Sequence, residues 1–290
     1  MPEPRQPQRG KMPLFELVGC HDNMTTLQDA AYYKGFTDVV VEAQWLRRDT
    51  AQIQGSLGSA GIGFIPLVQG MGHHGPGSYD PACREAEGTT ATCPVRRRTW
   101  EVLGAVLKKV LRPGVKRLHI GCDEVRIAAV CEDCRAAGLT PEEAYAGYIN
   151  GCCQLARKIS PSVEVMLWAD NLCPHNWEGV SPPAAPLKLA GALKLIPKDV
   201  ILCLWNYGPN PHVGVSNAWE LSYAYVQIAK TVEWAKTTGH RFTGSPWTNA
   251  KVAQFWIDRL EKAKALGVIA TNWGASRECD SVVIKAAYGE

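Results

Sequence analysis

Eight short apolar runs recur along this chain, and most are separated by stretches of helical period. That alternation restricts the fold more than any other feature. The runs are Leu14–Val18, Thr37–Glu42, Gly63–Val68, Lys116–Gly121, Val163–Trp168, Val200–Trp205, Arg241–Thr243 and Val268–Asn272. Stretches such as Val39-Val40-Val41 and Val200-Ile201-Leu202-Cys203-Leu204 are continuously apolar, as parallel strands covered on both faces must be. Between them, Thr140-Pro141-Glu142-Glu143 reads as a capping box with proline at the first helical position, and it predicts a helix to about Ile159. Helical periods also run from about Thr99 to Leu111, from Asn217 to Thr237 and from Asn249 to Leu266, the last two closed by Gly239 and Gly267. Eight strands with crossovers predict an α/β fold, a single (β/α)8 TIM barrel over residues 13–290 behind a disordered leader, 1–12. A doubly wound sheet is the alternative. Eighteen residues follow Asn272, so the last helix is expected to be short or trimmed.

Composition narrows the function classes. A hydrophobic content of 46% with 20% charge marks a chain that buries a core. The formal net charge is +3, and basic residues cluster only at Arg47-Arg48 and Arg96-Arg97-Arg98 without interleaved aromatics. No nucleic-acid partner is expected from that pattern. No apolar run approaches the roughly 18–20 residues that cross a bilayer, so no membrane association is expected. The leader, rich in Pro, Gln and Arg, has no apolar signal segment. Eleven scattered cysteines then point to reduced thiols in a cytoplasmic compartment.

Cys131-Glu132-Asp133-Cys134 is a lone CxxC. A structural zinc needs four ligands, and Cys83, Cys93 or Cys122 could complete a set, but the spacing fits no standard template. Free thiols, zinc and a disulfide all remain open. Free thiols are the expectation, and with them no metal and no cofactor.

The chemistry concentrates at strand ends. In Leu118-His119-Ile120-Gly121-Cys122-Asp123-Glu124-Val125 an apolar strand stops at a glycine and presents two adjacent carboxylates. A bare Asp-Glu pair more often caps a helix. Placed just past a strand's carboxyl end, it sits where such sheets carry their active sites. Two neighbouring acids resist ionising together, and a carboxylic acid still protonated near neutrality is what a sugar-cleaving general acid must be. Other strand ends carry Glu42, His73, Trp168 with Asp170, Trp205-Asn206-Tyr207, Trp247 and Trp273. Indole faces suit the C–H faces of sugars, and carboxylates and amides suit hydroxyls.

Leu118 to Val125 resembles the His-x-Gly-x-Asp-Glu-Val signature of glycoside hydrolase family 20, the β-N-acetylhexosaminidases. Cys122, Ile65-Pro66-Leu67-Val68-Gln69 and Gly72-His73 are similar to its hexosaminidase D branch. So are Leu167-Trp168-Ala169-Asp170, Leu204-Trp205-Asn206-Tyr207 and Ile269-Ala270-Thr271-Asn272-Trp273. The likeness runs in order from about Phe15 to Cys279. It implies a retaining enzyme in which the substrate's 2-acetamido oxygen attacks the anomeric carbon. Glu124 matches the general acid and base, Asp123 the carboxylate that orients the acetamido N–H, and Tyr207 the hydroxyl on the acetamido oxygen. Glu42, His73, Trp168, Asp170, Trp205, Asn206, Trp247 and Trp273 are then expected to contact substrate, and His119 to support the strand wall. The implied partner is a glycan or glycoconjugate with terminal N-acetylhexosamine. A homodimer is compatible with this reading, and the family also admits a nuclear location.

Three positions depart from the pattern. No Lys or Arg follows the first strand, His74-Gly75 stands where the branch often has an acid, and Asn206 replaces an Asp. These departures keep a catalytically weak carbohydrate-binding barrel as the alternative. A TIM-barrel hydrolase acting on something other than carbohydrate is more remote, because no phosphate loop occurs.

Overall fold

The computed structural model describes residues 14–18, 36–42, 50–176, 178, 186–207, 217–247 and 249–272. The leader, Trp273 and the segment expected to form the last helix lie outside them. The described chain runs β1 (Leu14–Val18), β2 (Asp38–Glu42), α1 (Thr50–Ser59), β3 (Gly63–Leu67), α2 (Pro76–Tyr79), α3 (Arg97–Val110) and β4 (Arg117–His119). It continues α4 (Glu132–Ala136), α5 (Pro141–Ile159), β5 (Glu164–Trp168), β6 (Ile201–Trp205), α6 (Ala218–Thr238), β7 (Phe242–Ser245), α7 (Ala250–Lys262) and β8 (Gly267–Asn272). No helix among the described residues is long and apolar enough to cross a membrane.

The chain divides into two compact units, residues 1–66 with 203–237 and 241–290, and residues 67–202 with 238–240. In the first, β1 pairs in parallel with β2 and β8, and β8 with β7. Val39, Val40 and Val41 are buried on both faces of β2, which is why that strand reads as an unbroken apolar run. α7 starts where the Asn249 side chain accepts the Lys251 and Val252 N–H groups. Its buried stripe, Val252, Ala253, Trp256, Ile257 and Leu260, packs onto β7 at Gly244, where a Cβ would stand 2.5 Å from Leu260 Cδ1. This helix ends four residues short of the expected Leu266. Lys264 takes a left-handed φ of 53°, and Leu266 N–H already donates to the Phe242 carbonyl at 2.8 Å. Sheet pairing claims the segment that periodicity assigned to helix, and Gly267 opens β8 rather than capping α7.

In the second unit, β4 pairs in parallel with β5 and, through Leu67 opposite His119, with the end of β3. The ladder outlasts β4, because Ile120 N–H donates to Met166 O at 2.8 Å and Trp168 N–H to Gly121 O at 2.9 Å. The capping box forms as expected: Thr140 Oγ1 accepts the Glu143 N–H, and the Glu143 carboxylate accepts the Thr140 N–H. α5 then buries Tyr145, Tyr148, Ile149, Cys152 and Ala156, while α3 buries Leu103, Leu107 and Val110. Each such leucine contributes about 1.5–3 kcal/mol of apolar burial. The seven strands in these two sets run parallel to their neighbours, and the fold class is α/β.

Candidate active site

The chain leaves β4 through an unusual turn. Gly121, Cys122 and Glu124 all have positive φ, at 62°, 68° and 48°. For the two that carry a Cβ this costs about 1–2 kcal/mol each, so the surroundings must hold the turn. Tyr145 from α5 donates its hydroxyl to Cys122 O at 2.8 Å. Glu124 N–H donates to Asp170 Oδ2 at 2.9 Å. Asn171 brackets the next residue, accepting the Val125 N–H at 3.0 Å and donating to Val125 O at 3.1 Å and Leu187 O at 2.7 Å. On the strand side, His119 Nδ1 accepts the Gly121 N–H at 3.0 Å. The next helix begins only at Glu132, with Cys131 as its cap. The acid pair is therefore not the cap of that helix.

This turn aims both carboxylates at one imidazole. His73 Nε2 lies 3.5 Å from Asp123 Oδ2 and 3.3 Å from Glu124 Oε2. Arg126 Nη2 stands 3.5 Å from the same Glu124 oxygen. The loop after β3 comes this close because Gly72 has a φ of 114° and no Cβ, which would collide with the Asp123 carbonyl oxygen. The side chains of Asp123 and Glu124 are each 12% exposed, that of His73 42%.

Electrostatics follow from this crowding. The hydrogen bond to Glu124, joined by the charges of Asp123, Glu124 and Asp170, raises the His73 pKa to about 9 against the opposing effect of burial. His73 is thus an imidazolium at neutral pH. Asp170 is pushed well above the usual carboxylate range, by burial first and the Asp123 charge second. Its Oδ1 is buried with no hydrogen-bond partner among the described residues. Three carboxylates thus share a small volume with a protonated imidazole and an arginine. His119 behaves differently: burial alone lowers its pKa to about 3. With Nδ1 accepting, its proton rides on Nε2, and the ring packs against Trp168 at 4.4 Å.

In the other unit, Trp205, Asn206 and Tyr207 lie at the end of β6, and Trp247 follows β7. The Tyr207 ring lies 5.0 Å from Trp205 and 5.2 Å from Trp247. Thr271 donates its hydroxyl to Pro246 O at 2.7 Å, which leaves the Tyr207 phenol as the donor in its 3.2 Å contact with Thr271 Oγ1. Glu42, at the end of β2, is buried.

Of the residues expected to act, His73, Asp123, Glu124 and Asp170 gather in one unit, with Trp168 under His119. Trp205, Tyr207 and Trp247 gather in the other. Sequence reasoning missed Arg126, Asn171 and Tyr145. Asn171 left one signal, an amide directly after a strand-end acid; the partners of the other two exist only once the turn is left-handed.

No protein-family model matches this sequence, and no curated protein sequence matches it. Solved structures do. A family 2 AP endonuclease from Brucella melitensis aligns with a TM-score of 0.57 at 14% identity, over 96% of this chain and 99% of that one. A GH18 chitinase from Pseudoalteromonas aurantia aligns at 0.56 and 12%, over 94% and 98%. A GH5-4 broad specificity endoglucanase from Clostridium acetobutylicum aligns at 0.56 and 11%, over 96% of both chains. At such identities the likeness speaks for the fold alone, and the chain has the α/β fold of TIM-barrel proteins, glycosidases among them.

Proposed function

We propose that the protein is a glycoside hydrolase, a retaining exo-β-N-acetylhexosaminidase that removes terminal β-linked GlcNAc or GalNAc by substrate-assisted catalysis. Its scaffold would be a closed (β/α)8 barrel, a reading supported by the strand order β1 to β8 along the sheet. Endoglucanase and chitinase neighbours are consistent with it, yet an endonuclease shares the fold, so the fold does not choose the chemistry. The observation that carries the proposal is the convergence of two sequence-adjacent carboxylates on His73, out of a strained turn at a strand's carboxyl end.

In this reading Asp123 accepts the acetamido N–H and stabilises the positive charge that develops there. The acetamido oxygen attacks the anomeric carbon, and Glu124 delivers a proton to the departing glycosidic oxygen. Glu124 then takes a proton from the water that opens the oxazolinium ring. The imidazolium of His73, 3.3 Å from Glu124, is the proton source within reach. Tyr207 enters by its match to the family motif, as hydrogen-bond donor to the acetamido oxygen.

One observation favours the second reading, a sugar-binding barrel with weak catalysis: Glu124 is engaged by both His73 and Arg126, and cations stabilise a carboxylate rather than the acid. Turnover of aryl N-acetyl-β-glucosaminide and galactosaminide separates the two. Hydrolysis well above the buffer rate, lost in Glu124→Gln while a thiazoline analogue of the oxazolinium intermediate still binds, supports the hexosaminidase. Undiminished hydrolysis by Glu124→Gln refutes it, and sugar binding without turnover by the unaltered protein supports the second reading.

A further inference from the structure

The loop that carries the acids ends in a second, sealed cluster. Glu85, Cys93, Cys131 and Cys134 place one ligand atom each within 4.8 Å of all the others, and all four residues are buried. Cys93 Sγ lies 3.3 Å from Cys131 Sγ and 3.5 Å from Cys134 Sγ. A disulfide requires about 2.05 Å, and the sulfurs are well beyond it. Tetrahedral zinc, with Zn–S near 2.3 Å, sets its sulfurs about 3.8 Å apart. The observed spacing is close to that edge.

The carboxylate is oriented for the same purpose. Glu85 Oε2 accepts the Val130 and Cys131 N–H groups at 3.1 and 3.0 Å, which leaves Oε1 facing Cys134 Sγ at 3.3 Å. Outer contacts that fix one oxygen and free the other are how ligating carboxylates are held. Cys131 Sγ also accepts the Cys134 N–H at 3.3 Å, a bond that stabilises a thiolate. A buried carboxylate packed against three sulfurs is costly without a cation.

We propose that Glu85, Cys93, Cys131 and Cys134 form a structural zinc site. Three thiolates select a soft divalent ion over magnesium or calcium. Four protein ligands leave no open coordination position, so the ion would hold structure rather than perform chemistry. It ties the segment after β3 to the segment after β4, the two that supply His73 and the acid pair. The site stands whether or not the hexosaminidase reading does.

The test uses the full chain, purified without added metal. Mass spectrometry of metals gives about one zinc per chain. Chelator treatment followed by cobalt gives the intense visible bands and sulfur-to-cobalt charge transfer of a tetrahedral thiolate site. Cys131→Ser/Cys134→Ser loses both signals, Glu85→Gln lowers zinc affinity at least tenfold against a chromophoric chelator, and Cys153→Ala keeps the metal. Should the cysteine variants fail to fold, the metal content and cobalt spectrum of the unaltered chain decide. Metal-free protein giving no cobalt bands overturns the proposal. So does a mass lowered by a disulfide within the cluster, or iron in place of zinc.

Discussion

The two ends of the segment from Gly121 to Cys134 solve the problem of buried polar groups in opposite ways. At the Asp123-Glu124 end, carboxylates crowd together and are balanced by groups that can gain or lose a proton, His73 above all. The backbone there is forced left-handed and the side chains keep some access to water. At the Cys131-Cys134 end, four donors are sealed from solvent, and the Arg96 guanidinium, whose charge is felt by Cys93 and Cys131, is itself held by Asp133 at 2.7 Å. One end keeps its protons exchangeable, as proton-transfer chemistry needs; the other has the character of a fixed coordination sphere. The contrast teaches that burial alone does not mark a catalytic group. What matters is whether its partner can move.

The sharpest break of the acid end is Glu124→Gln, which removes the proposed proton donor and leaves its shape. Proton transfer contributes about 10²–10⁴-fold to such reactions, so kcat/KM on an aryl N-acetylhexosaminide should fall by about that factor. The thermal midpoint should stay near the wild-type value. At the cysteine end the expectation reverses: removing the metal lowers the thermal midpoint by several degrees, and zinc restores it as a ligand of the native state must.

Asn171→Ala tests the support under the turn. It takes the Asn171 partner from the Val125 N–H and the Leu187 carbonyl, while Val125 O keeps the Leu187 N–H at 2.8 Å, and each buried unsatisfied group costs about 1–3 kcal/mol. Denaturant unfolding should show a loss in that range or above it; a loss under 0.5 kcal/mol, about the size of a surface change, would mean the turn holds itself.

His73 gives the acid end a pH signature. Its folded pKa, about 9, exceeds the ordinary 6.5, so the folded state binds more protons between those values. Its contribution to stability is complete below pH 6.5 and disappears as pH rises through 9. Asp170, also raised, acts in the same direction, losing stability as pH climbs above the ordinary carboxylate range. The exposure of His73 weakens the effect through solvent screening. Thermal midpoints against pH should therefore slope downward between 6.5 and 9, and His73→Gln should flatten that slope; parallel curves would exclude His73 as the cause. The smallest effect expected is from Thr140→Ala, which removes the α5 cap for about 1 kcal/mol and should change neither zinc content nor pH slope.

Much of this was legible beforehand. The strands begin and end within a few residues of the apolar runs, and the capping box announced α5 to its last turn. Less local features were hidden. The turn's hand depends on Tyr145, Asp170 and Asn171, none of which announces a partner 23 to 46 residues away. The CxxC announced a half-site, but Cys93 was one of three candidates to extend it, and Glu85 was not among them.

Sequence alone determined the alternation of strand and helix and the place of two acids beyond a strand. Both are written in residues a few positions apart, where side-chain period and backbone preference act directly. Only the tertiary structure decided that His73 meets both acids, that Asn171 brackets Val125, and that Glu85 completes a thiol cluster 49 residues from Cys134. Those meetings depend on distance in space, which a linear pattern does not contain until the core has packed and fixed every loop against its neighbours.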